Sequence, residues 1–526
     1  MTHDMTQSDR GICVSSTSPW STSIMRLSLV IASIPVLAAC ATTSPAHSQP
    51  RASAQRSAPA EAPRTAPPPA QADRPREHEE VLAPPPKADP HAQLVAWMRS
   101  RLPAGGDIDA SNGRIEVTHT VRAGETIEKI ALAYVDLTDV YLAAELAPLI
   151  AKKNGLGKRA LAPGAKISIP ELVTEVPPSP ERSRMPPPED GAVRGLYMRG
   201  STAARTMFTS ILDHMAERGM NAIVLDAKDY DGWLTYPSKV PLANEAGAVK
   251  NPPIRDMSRT IRFAHKRGIR VAVRVSCFED EIMAKARPKL SVQAKWGRAY
   301  PIGWLDPSNE GAQAYIIDLV KEAMDAGADE IQLDYVRYPV LGIKGADFHL
   351  QERGLTQTTV IRDFVHKVHG ITSARHIPLS LDVFGVISFG HRVDIDALGQ
   401  DPALLAPECE ALSPMVYPSH YSKGFNGWDE PGDHPEIVGI GTKGVREQIA
   451  AAGVKGGAVI RPWLQAMNYR SPAYSPKYLA DEIASGDANG GTGWLMWNPG
   501  QEYSYAWTAV PKRKTESDKP APSAKR

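Results

Sequence analysis

From Val193 to Tyr505 one unit recurs along the chain: a helical stretch, a glycine, then a short apolar strand ending on a polar residue. The glycines Gly219, Gly268, Gly327, Gly370 and Gly453 stand where a helix C-terminus needs a left-handed residue. The strands predicted from apolar runs are 193–199, 222–228, 270–277, 330–335, 378–384, 411–417, 458–465 and 493–498. Between them the helical period is plain, as in Ile316, Leu319, Val320, Ala323 and Met324, which share one face. Near-continuous apolar strands must be buried on both faces, and alternation with helices predicts parallel pairing. Eight such units over residues 191–510 predict an α/β chain with a (β/α)8 barrel, whose active site forms at the C-terminal ends of the strands.

Those ends carry acids. Strand two ends on Asp226 and Asp229, strand three leads to Glu279, strand four ends on Asp334 and strand five on Asp382. Cleavage of a glycosidic bond needs two carboxyl groups: one protonates the leaving oxygen, and the other attacks the anomeric carbon or activates water. Asp334 and Asp382 are the candidate catalytic pair. The rim residues Asp226, Asp229, Arg274, Glu279, Tyr335, Arg337, Tyr417, Trp497 and Asn498 are the candidate substrate-binding set. The arginines could position a substrate carboxylate or lower a nucleophile's pKa, and eight of the ten tryptophans fall in this region. The alternative reading makes Asp334 an ion-pair partner of Arg337, Asp382 a loop cap, and the aromatic residues packing.

The stretches IVLDAKDYDG, DEIQLDYVRYP, LSLDVFG and GWLMWNPG resemble a bacterial family of glycoside hydrolase barrels distantly similar to the alpha-amylase clan. By barrel position the resemblance makes Asp334 the nucleophile and Asp382 the acid. The clan has Glu as the acid and a further Asp on strand seven, whereas strand five here supplies Asp and strand seven ends Trp463-Leu464-Gln465.

Ahead of the barrel, VTHTVRAGETIEKIALAY begins a strand, turn and helix. After a second helical stretch, Lys153-Asn154-Gly155-Leu156 and LAPGAKISIP return through a turn to a strand. This β-α-α-β order over 117–171 resembles a LysM domain, with a middle, 136–147, longer than usual. The resemblance implies binding of N-acetylglucosamine-containing glycans such as peptidoglycan through Gly124, Glu125, Thr126, Asn154, Gly155 and Leu156. The alternative is that these residues only form turns.

The chain opens with a charged and then apolar run, Met25-Arg26-LSLVIASIPVLAAC, too short to span a bilayer. Residues 1–39 therefore read as a signal peptide with Met25 as the start. Leu37-Ala38-Ala39-Cys40 resembles a lipobox, which implies lipidation of Cys40 and, with Ala41 following it, an anchor on the periplasmic face of the outer membrane. An ordinary secretory signal ending near Cys40 is the alternative. Of the 46 prolines of the 526 residues, 12 fall in an expected linker at 40–93 and six in a second at 172–190, and a Lys/Pro/Ser-rich tail occupies 511–526.

A formal charge of +1 gives no reason to expect a nucleic-acid partner. The cysteines, at 13, 40, 277 and 409, form no metal-type pair, and Cys277 and Cys409 are expected as separate buried thiols. With no zinc-hydrolase signature, no metal or cofactor is expected. The sequence thus predicts an envelope-anchored glycoside hydrolase acting on a cell-envelope or related polysaccharide. The alternative is a non-catalytic glycan-binding, envelope-organising lipoprotein.

Overall fold

The computed structural model describes residues 89–157, 161–295, 301–340 and 343–513. The signal peptide, Cys40, Trp296, most of the 40–93 linker and most of the tail lie outside the described residues. Two units follow one another. The first holds helix α1 (Pro90–Arg99), strands β1 (Gly106–Asp109) and β2 (Glu116–Thr120), helices α2 (Ile127–Tyr134) and α3 (Ala143–Lys153), and strand β3 (Lys166–Ile169). β2 pairs antiparallel with both β1 and β3. The β-α-α-β order expected at 117–171 is therefore present, extended by α1 and β1. Asp89 caps α1 by accepting from the backbone N–H groups of His91 and Ala92, so the last residues of the expected first linker, 89–93, belong to a capped helix.

The second unit alternates strands and helices: β4 (Val193–Met198), α4 (Met207–Glu217), β5 (Ala222–Lys228), α5 (Met257–His265), β6 (Arg270–Ser276), α6 (Glu310–Asp325), β7 (Glu330–Asp334), α7 (Gln357–Ser373), β8 (Leu379–Phe384), α8 (Arg392–Leu398), β9 (Ala411–Met415), α9 (Ile437–Ala451), β10 (Val459–Ile460), β11 (Trp463–Gln465), α10 (Pro476–Ala488), β12 (Gly493–Trp497) and α11 (Ser504–Ala509). All these strands join one parallel sheet in the order β10-β9-β8-β7-β6-β5-β4-β12-β11. Its two outer members are halves of one run, parted only by Arg461 and Pro462. The sheet therefore curls back on itself as a TIM-like barrel, with strand seven split because a proline cannot donate to a ladder.

The period of two along each strand sorts its side chains. Ile223, Leu225, Val271, Val273, Val275, Ile331, Leu333, Leu379, Leu381 and Val383 are buried in the main core shared with the helices. Ala222, Val224, Ala272, Tyr417, Trp463 and Leu495 form a separate interior cluster. Gly219, Gly268, Gly327 and Gly453 have positive φ, as helix-ending glycines should. Gly370 does not end its helix. α7 runs on to Ser373, and His376, with φ 55°, makes the turn. Cys277 and Cys409 are buried and unbridged.

The two units are joined by more than the chain. Tyr141, in the long middle of the first unit, donates to the Ala203 carbonyl (2.5 Å), lies 3.1 Å from Thr260 Oγ1, and packs its ring between Phe208 and Phe263. The Arg259 guanidinium bonds the carbonyls of Thr138, Val140 and Tyr141, while Asp136 pairs with Arg255 and Asp139 with Lys266. The proline-rich stretch expected as a second linker is also held down. Arg184 donates to the Met324 carbonyl, Met185 N to Asp329 Oδ1, and Arg270 to the Met185 carbonyl. At Gly327, φ 100°, a Cβ would meet Pro180 O at 3.0 Å, so a side chain would unseat this stretch.

Candidate active site

On β5 to β8 the alternation that buries valines and leucines outward turns Asp226, Arg274, Asp334 and Asp382 inward at the C-terminal end. Strand pairing sets Asp226 beside Arg274 and Ser276 beside Asp334. One guanidinium thereby serves three acids. Arg274 Nη1 lies 2.5 Å from Asp226 Oδ1, Nη2 and Nε lie 2.6 and 3.0 Å from Asp334 Oδ2, and Nε lies 3.8 Å from Asp382 Oδ2. Because Asp334 and Asp382 reach the same Nε, these oxygens are at most about 7 Å apart, below the upper limit of the roughly 5 to 10 Å that separates glycosidase pairs. The ion pair expected between Asp334 and Arg337 is absent; Arg274 takes that place.

The acids differ in their other partners. Asp334 Oδ1 accepts from the backbone N–H of Tyr335 at 2.6 Å. Asp226 is bonded by the Tyr197 hydroxyl, and burial raises its pKa in spite of Arg274. Asp382 is 1% exposed, and its Oδ1 accepts from Gln332 Nε2 (2.9 Å) and Trp463 Nε1 (2.6 Å). Burial, then repulsion from Asp334, pushes the Asp382 pKa well above the ordinary value. For Arg274, burial acts downward, but Asp226 and Asp334 outweigh it and hold the guanidinium well above its usual value. The expectation that Asp382 caps a loop is not met, since its side-chain bonds run to Gln332 on β7 and Trp463 on β11.

Glu279 follows β6, with burial as the main force raising its carboxyl to about 7. Lys228 fixes that turn from beneath: its Nζ donates to the carbonyls of Ser276 and Glu279 and pairs with Asp280 at 3.0 Å, with both charged side chains out of solvent. Asp229, also raised to about 7 chiefly by burial, accepts from the N–H groups of Gly232 and Trp233 and so shapes the loop after β5. Tyr335 turns the chain after β7 with φ 51°, a conformation costly for a bulky residue and frequent at functional sites. Its neighbour Arg337 stacks over Trp304, Phe384 and Tyr335 at 4.7, 5.0 and 5.4 Å. Tyr417 and Trp497 lie 5.2 Å apart, centroid to centroid, with His420 beside them. Asn498 is a staple, because its amide donates to the Ala466 and Glu502 carbonyls and its oxygen accepts from Gly500 N.

In the first unit, β2 and β3 pair so that Thr120 faces Lys166, and Val121 exchanges backbone bonds with Gly164 and Ala165. This brings the loop holding Gly124, Glu125 and Thr126 to the same end as the turn at Gly164 and Ala165 that enters β3. Glu125 is held by Arg122 and His119, with its carboxyl down to about 2, and Thr126 caps α2. The Asn154 amide clamps the Ser168 backbone through two bonds. Among the described residues no group of three or more His, Cys, Asp or Glu could hold a metal ion, and no helix is long and apolar enough to cross a membrane.

Trp463 and Gln332 were legible only in part. Gln332 stands two residues before Asp334 and so on the same face, but the partner across the barrel, Trp463, needed the fold.

Comparison with curated proteins finds no match. Among solved structures, a hypothetical protein from Ruminiclostridium thermocellum is 30% identical over 36% of this chain and 97% of its own, with a TM-score of 0.33. The PgaB (BpsB) glycoside hydrolase domain from Bordetella bronchiseptica is 13% identical over 62% of this chain and all (100%) of its own, TM-score 0.46. The spore cortex-lytic enzyme SleL from Bacillus megaterium is 12% identical over 81% and 98%, TM-score 0.37. Residues 195–503 match the family described as "Putative glycosyl hydrolase domain", DUF4015. That match takes in the whole arc of acid-bearing strands and more than half of the chain, which therefore belongs to this glycosyl hydrolase family.

Proposed function

We propose that the barrel hydrolyses a glycosidic bond in a cell-envelope or related polysaccharide, with Asp334 as the anion and Asp382 as the proton donor. The observation that carries this reading is the shared arginine. Three carboxyls meet one guanidinium in a buried site, so one group keeps a proton while its neighbour keeps a charge, the division of labour that acid-assisted glycoside cleavage requires. In the reaction, Asp382 gives its proton to the leaving oxygen. Asp334 attacks the anomeric carbon or orients water onto it, and Arg274 holds the Asp334 carboxylate in place. Trp497 and Tyr417 offer aromatic faces to sugar rings.

A second reading exchanges the donor. Glu279 is less buried than Asp382, its carboxyl titrates near 7, and no described residue hydrogen-bonds it, all of which suit a proton donor open to substrate.

Around this core we read the chain as a lipoprotein acylated at Cys40 and held at the periplasmic face of the outer membrane. The first unit is its LysM-like module for peptidoglycan or another N-acetylglucosamine-containing glycan. Support comes from the lipobox and from the β-α-α-β order of the first unit. The Cys40→Ala variant should leave the membrane fraction, and unchanged fractionation would remove the anchor from the account. For the barrel, the full chain is screened on envelope polysaccharides and α- and β-linked oligosaccharides by release of reducing ends. Cleavage that disappears in Asp334→Asn is expected, and a chain that cleaves none of them would be better described as a glycan-binding protein.

A further inference from the structure

Deepening that reading, and resting on it for the position of the cleaved bond, we infer that Arg337 marks a subsite for a sugar residue bearing a carboxylate. Arg337 is 7% exposed and sits three residues beyond Asp334. The other buried arginine at this rim, Arg274, is matched to acids, and Arg461 at the opposite end is matched to Glu330. Arg337 has no carboxylate within ion-pair distance among the described residues. A single bond, from Nη1 to the Tyr338 carbonyl at 3.1 Å, is all that its five N–H groups make there. Glu279, whose carboxyl feels the charge of Arg337, makes no ion pair with it.

The surroundings add to the pattern. Trp304, over which the guanidinium lies, has its own buried indole N–H without a partner. Donors in surplus beside three aromatic faces suit a ligand that is ring-shaped on one side and acceptor-rich on the other. A planar fork pairs best with a planar carboxylate, and Trp304, Tyr335 and Phe384 provide the apolar walls for the ring. The carboxylate could belong to a uronic acid or to the lactyl ether of a muramic acid; both present the same group to the same fork.

Two ligand pairs separate these sources in calorimetric titrations of the full chain. A uronate-containing tetrasaccharide is compared with its carboxyl-reduced form, and the N-acetylglucosamine–N-acetylmuramic acid disaccharide with chitobiose. The acidic member of one pair should bind about tenfold or more tighter than its neutral counterpart, as expected for hydrogen bonds to a charged group. Arg337→Gln should abolish that difference, so that the acidic and neutral members of the pair bind alike, and Arg337→Lys, which keeps the charge and loses the fork, should retain only part of it. Equal binding within both pairs, no binding of either acid, or a preference that survives Arg337→Gln would overturn the subsite. Asp334→Asn should leave the preference intact, so loss of the catalytic assignment and loss of the subsite are read on different variants.

Discussion

Strand β7 carries buried acids at both ends, and the two ends are built on opposite rules. At its start, Glu330 meets Arg461 at 2.7 Å and the Ser380 hydroxyl at 2.6 Å. Burial would raise that carboxyl, but Arg461 outweighs it and holds the pKa below the ordinary value. Asp329 just before it accepts from Met185 N and Val271 N and lies 2.7 Å from His265 Nε2. Each of these acids has its own set of partners. At the other end, Asp226, Asp334 and Asp382 divide one arginine, and two of the three are pushed upward. Both ends are buried, so burial alone does not mark the active site. What sets the proposed catalytic end apart is a local surplus of carboxyls over cations, which structure alone does not need and acid–base chemistry does.

The comparison breaks most sharply at Asp334. Asp334→Asn should lower turnover on a cleaved glycan by a factor on the order of 10³ or more with the fold intact, because the variant removes the anion an oxocarbenium-like transition state needs. At the balanced end the effect should fall on stability instead. Arg461→Met strands Glu330 in the interior and should cost about 3–5 kcal/mol in urea unfolding, with activity per folded molecule unchanged. Next in size is Asp382→Asn, expected to slow natural glycans on the order of 10²-fold and activated aryl glycosides much less, since their leaving groups need less protonation. If Glu279→Gln shows that pattern and Asp382→Asn does not, the proton donor is Glu279.

The smallest effect concerns pH. The folded pKa of Asp382 is raised, so the stability tied to its proton is fully present below the unfolded carboxylate value of about 4 and is lost as pH climbs through the folded value. Asp382→Asn does not titrate. Relative to the native chain it should therefore gain stability from about pH 4 upward, and melting curves across that range would show a widening gap.

How much of this the sequence disclosed follows from what period and composition can carry. The apolar runs in AIVLDAK, RVAVRVS, EIQLD and LSLDVF were enough to count strands and to place Asp226, Arg274, Asp334 and Asp382 at one rim. Pairing partners across the barrel were not readable. Arg337 is nearer to Asp334 in sequence than Arg274 is, yet strand register gives Asp334 to Arg274 and leaves Arg337 among aromatic rings. Trp463 read as the end of a strand lacking an acid, whereas the break at Pro462 and the barrel's closure bring its indole N–H to Asp382. Proline-rich composition at 172–190 suggested a spacer because composition has no view of Arg184 and Met185 bonded to the barrel. The long middle of the first unit, an oddity in the sequence, holds Tyr141 and the carbonyls that dock on α5.

The most direct test of the central claim, that one arginine cannot keep three rim carboxyls charged, is infrared difference spectroscopy of the native chain against Asp382→Asn at pH 7. A protonated-carboxyl C=O stretch present in the native protein and missing from the variant is the predicted result. A native spectrum with no such band, every rim acid ionised, would contradict it.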